Sequence, residues 1–173
     1  MKTNPTRLLL DTNVWLDLFA SDRSGREDAV NLVTWAVQQE VTLLYAASSI
    51  KDFYYILEER EKRKLRAAKI EVDAGTAADI NEYAWGCIRA LEEIATVVAL
   101  DQSDVWLASK FRALHSDFED NLILAALERS SADYLITADE VLLKRSPAPA
   151  LSPGDLLTLV QGCRQKSQTS PTM

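Results

Sequence analysis

The chain has few of the residues that build several common kinds of site. Its two cysteines, Cys87 and Cys163, stand far apart and form no paired spacing with the single histidine, His115. That argues against a zinc ribbon and against a disulfide framework, and it fits two buried thiols in a reducing cytosol. Five glycines and five prolines leave little room for long irregular stretches. No segment approaches the ~20 apolar residues of a membrane span. The apolar run after Lys2 and Arg7 is broken by Asp11, which reads against a signal peptide. A cytoplasmic protein with no membrane contact is therefore expected.

An excess of positive charge is also missing. The net charge of −7 speaks against nucleic-acid attraction over the whole surface. Locally the balance reverses, because Arg60, Lys62, Arg63, Lys64, Arg66 and Lys69 crowd one segment with only Glu61 opposing them. Such a run on a helix is usually a solvated face laced with ion pairs. Here it also offers Arg60, Arg63 and Lys64 as contacts for a phosphate backbone. Acidic residues gathered around bound cations would add to the −7, so the total does not exclude a nucleic-acid substrate.

What is present is an alternation of apolar strands and amphipathic helices in a chain that is 47% hydrophobic, enough for a full core. Strands are expected over 6–11, 41–46, 96–100 and 134–137, with Ala150-Leu151 as a last edge strand. Helices are expected over 14–20, over 26–39 with Ala29, Val30, Val33 and Val37 inward, and from Ile50 into the basic run. The last of these carries Phe53, Ile56 and Leu57 on one face and Glu58/Lys62 and Glu59/Arg63 pairs at i,i+4. Further helices are expected over 77–94, with Ile80, Tyr83, Ala84, Cys87 and Leu91 inward, and over 103–113. A Ser116–Glu119 capping box should start another helix, running to about Arg129. Short helices are expected near 140–144 and over 153–160. The pattern defines the α/β class, a three-layer sandwich around a mainly parallel sheet. Residues 1–163 read as a single domain, and 164–173 as a polar tail expected to be disordered.

Four aspartates fall at comparable boundaries. Asp11 ends the run Leu8-Leu9-Leu10, and Asp139 follows the strand ending at Thr137; Asp52 and Asp120 occupy first turns of helices. Each has an ordinary explanation. Asp11 and Asp139 suit helix caps, Asp52 sits three residues after Ser49 as in a capping arrangement, and Asp117 and Asp120 share a helix start where carboxylates are welcome. In a parallel sheet, however, all four places lie near the strands' carboxyl edge, where ligands bind. Carboxylates brought that close repel one another and call for cations. An all-oxygen donor set suits Mg²⁺ or Mn²⁺, and Mg²⁺ completes its shell with water and phosphate oxygens. Phosphodiester hydrolysis is the chemistry this favours. His115 reads as an exposed loop residue, and no Ser/His/Asp arrangement is legible.

The segments Leu8-Leu9-Leu10-Asp11-Thr12-Asn13, Ser48-Ser49-Ile50-Lys51-Asp52-Phe53, Asp117-Phe118-Glu119-Asp120-Asn121 and Leu135-Ile136-Thr137-Ala138-Asp139 together resemble the PIN-domain nucleases. Within them the chain is similar to VapC-type toxins of toxin–antitoxin pairs, from about Leu8 to Leu157. The resemblance implies a divalent-metal-dependent ribonuclease with Asp11, Asp52, Asp120 and Asp139 as catalytic acids. Asp11, Asp120 and Asp139 would hold Mg²⁺ or Mn²⁺, with Asp117 as an accessory ligand and Asn13, Ser49 and Thr137 orienting them. It also implies an RNA substrate, an antitoxin partner and a homodimer.

Many such nucleases carry glutamate where this chain has Asp52, a methylene shorter. A PIN-like binding module with weakened catalysis is therefore the alternative reading. A haloacid-dehalogenase-type phosphatase would need a second aspartate where Asn13 stands, and a response-regulator receiver would need another order of strands and acids.

Overall fold

In a strand, three consecutive leucines can all be buried only if the sheet is covered on both faces. Leu8, Leu9 and Leu10 are each at most 2% exposed in β1, Arg7–Leu10. The computed structural model describes residues 2 and 4–168. β1 is followed by α1 (Thr12–Phe19), α2 (Arg26–Gln38), β2 (Thr42–Ala46) and a 3-10 turn over Ala47–Ser49. Then come α3 (Ile50–Ala67), α4 (Ala74–Ile94), β3 (Thr96–Val98), α5 (Gln102–Phe111) and α6 (Phe118–Ser130). β4 (Tyr134–Ile136), α7 (Glu140–Arg145), β5 (Ala150–Leu151) and α8 (Pro153–Gln168) complete the order.

The strands form one five-stranded sheet in the order β3-β2-β1-β4-β5, and every pairing is parallel. Side chains alternate across it. Leu8 and Leu10 of β1, Leu43 and Tyr45 of β2, and Tyr134 and Ile136 of β4 pack with α1–α4 and α8. Leu9, Leu44 and Leu135 face the other way, onto Ile123, Leu124 and Leu127 of α6 and Leu142 of α7. The result is the expected three-layer α/β/α sandwich. The chain winds outward from β1 in one direction to β3 and in the other to β5, so strand order reverses between β1 and β4. Such a reversal opens a crevice at the carboxyl edge.

Several elements depart from the sequence reading, each for a local reason. The inward face of α2 is Ala29, Leu32 and Ala36, whereas Val30 and Val37 are exposed. Small side chains let this helix pack closely, and the valines fall one position off that stripe. Ile56 and Tyr83 are also exposed; the Tyr83 hydroxyl donates to the Phe19 carbonyl at 3.0 Å. α4 starts at Ala74 because the Asp73 carboxylate accepts from the Thr76 amide at 2.8 Å, which places Gly75 inside its first turn. β3 stops at Val98, and Asp101 then caps α5 in a reciprocal capping box with Asp104. α8 runs past residue 160 to Gln168, opened by Pro153 and by Ser152, whose hydroxyl accepts from the Asp155 amide. The side chain of Cys163 and the end of the polar tail lie outside the described residues.

Candidate active site

The crevice at the β1/β4 reversal is a cleft of about 540 Å³. Its acidic lining is Asp11, Asp52, Glu119, Asp120 and Asp139, joined by Ser48, Ser49, Thr12 and Asn13. Leu16, Ile56, Leu100, Phe118, Leu122 and Ile123 supply apolar walls, and Arg23 and Lys51 are its cations.

Asp11 is delivered by the end of β1, whose ladder continues through its own amide to the Ile136 carbonyl at 2.9 Å. Its Oδ1 accepts from the Thr12 amide at 2.6 Å, so it does cap α1. Its Oδ2 accepts from Asn13 Nδ2 at 2.6 Å and from Thr137 Oγ1 at 2.7 Å. Burial nevertheless dominates. Desolvation pushes the carboxyl up to about 6 despite these hydrogen bonds, and the neighbouring charges of Asp120 and Asp139 push the same way.

Thr137 and Asn13 join the two central strands. Asn13 Nδ2 also donates to Thr137 Oγ1, Asn13 Oδ1 accepts from the Ala138 amide, and Thr137 Oγ1 accepts from the Asp139 amide. Asp139 caps α7, its Oδ1 accepting from the Val141 and Leu142 amides. Among the described residues no hydrogen bond reaches its Oδ2. Ser49 reaches the cleft from the 3-10 turn and makes no capping bond, so the Ser49–Asp52 capping arrangement does not form. Asp52, in the first turn of α3, also lines the cleft, with Lys51 Nζ 3.7 Å from its Oδ1.

At α6 the cap is one residue later than expected. Asp117, not Ser116, is the N-cap, and its Oδ1 accepts from the Glu119 and Asp120 amides. Asp117 is thereby occupied and does not line the cleft, whereas Glu119, freed from the expected capping box, does. Asp120 is raised by burial and by Asp117, Asp139 and Glu119, with His115 opposing.

His115 is not the exposed loop residue the sequence implied: its side chain is only 11% exposed, with Nε2 3.3 Å from Asp120 Oδ2. The Asp117 amide donates to its Nδ1 at 3.0 Å, and Asn121 Nδ2 holds its carbonyl at 2.9 Å. An accepting Nδ1 leaves Nε2 as the ring's N–H, directed at Asp120. The nearest signal in the sequence was proximity, since His115 stands two residues before the Asp117–Asn121 segment.

Two tryptophans differ in their surroundings. Trp15 is buried and donates from Nε1 to the Leu10 carbonyl at 3.1 Å. Trp106 is exposed, carries Lys110 over its ring and sits outside the cleft. On α3, Lys62 pairs with Glu58 as expected, but Glu59 takes Arg66, and among the described residues Arg63 has no ion-pair partner. Arg60 and Lys64 both reach Asp22, whose carboxyl they hold down at about 2.

The donor set fits a hydrated, oxygen-seeking cation and does not fit zinc, because only carboxylates, hydroxyls and amides converge. Among the described residues no three acidic, histidine or cysteine side chains close up tightly enough to enclose an ion by themselves. A cation here would be held through one or two carboxylates and through water, as Mg²⁺ commonly is.

A parallel sheet with a carboxylate-lined crevice at its switch point defines a class of α/β proteins. The sequence narrows that class. Residues 7–141 match the profile of the family described as PIN domain, and the chain belongs to that family. No curated protein matches it in sequence.

Its fold is similar to solved structures that include the following three. VapBC2 from Rickettsia felis, bound to a promoter DNA fragment, has a chain that superposes with a TM-score of 0.61 at 12% identity, covering 84% of this chain and 98% of that one. FitAcB from Neisseria gonorrhoeae gives 0.59 at 14%, over 85% and 98%. VapC20 from Mycobacterium tuberculosis, a sarcin–ricin loop cleaving toxin, gives 0.54 at 14%, over 74% and 86%.

Proposed function

We propose that the chain is a divalent-metal-dependent endoribonuclease, the toxin of a toxin–antitoxin pair. The observation that carries this reading is Asp11. It is a buried carboxylate, pushed up to about 6 with the charges of Asp120 and Asp139 adding to the rise, in a cleft whose two cations, Arg23 and Lys51, pair with Asp17 and Asp52 instead. Burying mutually repelling carboxylates is costly unless something positive joins them. Asp11, Asp120 and Asp139 would hold Mg²⁺ or Mn²⁺. Bound there, such an ion supplies activation of water and neutralisation of charge on a phosphodiester.

The protein's own part is orientation. Thr137 and Asn13 fix Asp11, His115 fixes Asp120, and the α7 cap fixes Asp139. Asp52 approaches from the α3 side, where its shorter arm suits contact through water. Asp117 acts through the shape of α6. Arg60, Arg63 and Lys64 offer the RNA backbone a surface beyond the cleft. An antitoxin partner, a homodimer and cytoplasmic action accompany the reading; among the described residues no helix is long and apolar enough to cross a membrane.

The loose spacing of the acids favours one second reading, a PIN-domain module that binds RNA or protein without cutting. Incubation of the purified chain, freed of any co-purifying protein, with a mixed RNA pool decides between them. Cleavage with Mn²⁺ that stops with EDTA and in Asp11→Asn is the expected result. Metal-independent cutting, or an undiminished Asp11→Asn variant, would overturn the mechanism. Absence of cutting by any preparation would favour the binding module.

A further inference from the structure

Two cations line the acidic cleft, and they are held in different ways. Lys51 lies on the surface with 71% of its side chain exposed. Arg23 is built in. Its Nε bonds to Asp17, a carboxylate buried on α1. Asp17 in turn lies so close against Gly25 that a β-carbon there would meet its Oδ2 at 2.2 Å. Arg26 Nη1, at the first residue of α2, ties the far end of the same loop back to the Leu18 carbonyl at 2.5 Å. The α1–α2 loop is thus fastened to α1 at two points. The remaining guanidinium nitrogens of Arg23 have no protein partner among the described residues. An arginine fixed along one edge and open along the other is pre-organised for a planar, two-oxygen acceptor.

The neighbouring geometry shows where such an acceptor leads. Asp52 and Ile56 of α3 line the acidic cleft, and Arg60, Arg63, Lys64 and Ala67 line a second recess of about 330 Å³ with Asp22. Positions 52, 56, 60, 63 and 67 recur at helical spacing on one face. Asp22 and Arg23, adjacent in the loop, therefore form the seam between an acidic cleft and a basic recess. Along the helix, Asp52 and Arg63 are about 16 Å apart at 1.5 Å per residue.

We propose that Arg23 is a phosphate-binding residue at the rim of the cleft, from which single-stranded RNA runs along this face of α3 to Arg63. The inference rests on the ribonuclease reading and adds the path of the strand. Asp22 holds Arg60 and Lys64 in place, as Asp17 holds Arg23, while Arg63, with no ion-pair partner among the described residues, is left for the backbone.

The test is fluorescence anisotropy with a labelled, mixed-sequence single-stranded RNA 12-mer, on full-length protein carrying Asp11→Asn to prevent cutting. Arg23→Gln should weaken binding by about tenfold, the scale of one charge-assisted hydrogen bond. The slope of log Kd against log salt should fall by up to about 0.7, one phosphate contact. Arg63→Gln should lower the slope in the same way. Arg89→Gln, the same charge loss on α4 outside both cavities, should change neither. Because Arg23→Gln strands Asp17, the double variant Asp17→Asn/Arg23→Gln keeps a neutral hydrogen-bonding pair and should bind as weakly as the single one. A folded double variant with the Asp11→Asn parent's affinity and slope would overturn the role of Arg23 and leave the nuclease reading standing. Failure of the Asp11→Asn parent to bind RNA, together with absence of cutting by the unmodified chain, would remove both.

Discussion

The two ends of β1 treat an aspartate in opposite ways. At the amino end, Asp133 meets the strand as it enters the sheet. It accepts from the Thr6 amide at 2.6 Å, the Arg7 amide at 3.1 Å and Lys2 Nζ at 2.8 Å. Partial burial works against its charge, but these donors outweigh it and hold the carboxyl down at about 2. At the carboxyl end, Asp11 is more deeply buried, faces other acids, and rises to about 6. One carboxylate stabilises the strand's entry into the sheet; the other is retained at a cost to the isolated fold. A strand that is anchored at one end can carry a perturbed carboxyl at the other, and on the proposed function that is the end where the chemistry takes place.

The largest break in this contrast should come from Asp11→Asn. Cleavage of a mixed RNA pool in Mn²⁺ should fall by more than about 100-fold, the scale of losing a key electrostatic group. The melting temperature of the metal-free protein above pH 7 should instead rise, by the equivalent of about 1–2 kcal/mol. A variant that lost both activity and stability would place Asp11 with Asp133 as a structural residue.

The pH dependence of the metal-free protein should separate the two carboxylates. Asp11 is raised in the fold, so its stabilising contribution is complete below about 3.8 and disappears as pH rises through about 6. Asp133 is lowered, so its contribution is complete above about 3.8 and disappears as pH falls through about 2. Thermal melts between pH 4 and 7.5 should therefore decline with rising pH, and Mn²⁺ should restore stability at the upper end. A flat profile without metal would show that Asp11 is not strained.

A smaller effect is expected from Thr137→Val, which removes the hydroxyl bridging Asp11 and the Asp139 amide. Manganese affinity, measured by calorimetry, should weaken by about tenfold while the fold persists. The smallest should follow Asp133→Ala, a loss of about 1–2 kcal/mol in denaturant melts with cleavage per folded molecule unchanged. Altered catalysis in that variant would join the two ends of β1 into one unit.

Much of this was legible in the sequence, because strand ends are marked by where apolar runs meet acids. Leu10-Asp11 and Thr137-Ala138-Asp139 were such marks, and both aspartates line the cleft. α6 was displaced by a single residue, since Ser116 and Asp117 are both good caps and only the fold selects between them. Val30 and Val37 were misplaced because valine is the more conspicuous apolar residue, while close packing of α2 rewarded Ala29 and Ala36. Arg23 and His115 carried no sequence signal of their own. Arg23 depends on a loop folding back on a carboxylate six residues earlier, and His115 on an amide that fixes its tautomer.

The Thr137–Asp11 hydrogen bond spans 126 residues of sequence. At a synthesis rate of 5–20 residues per second, Asp11 waits on the order of 6–25 s before its partner on β4 is made. Every shorter nascent chain has Asp11 but neither Thr137 nor Asp139. On the proposed function, a growing chain stays inert at least until β4 has been made, and harm to RNA begins only after β4 has docked beside β1.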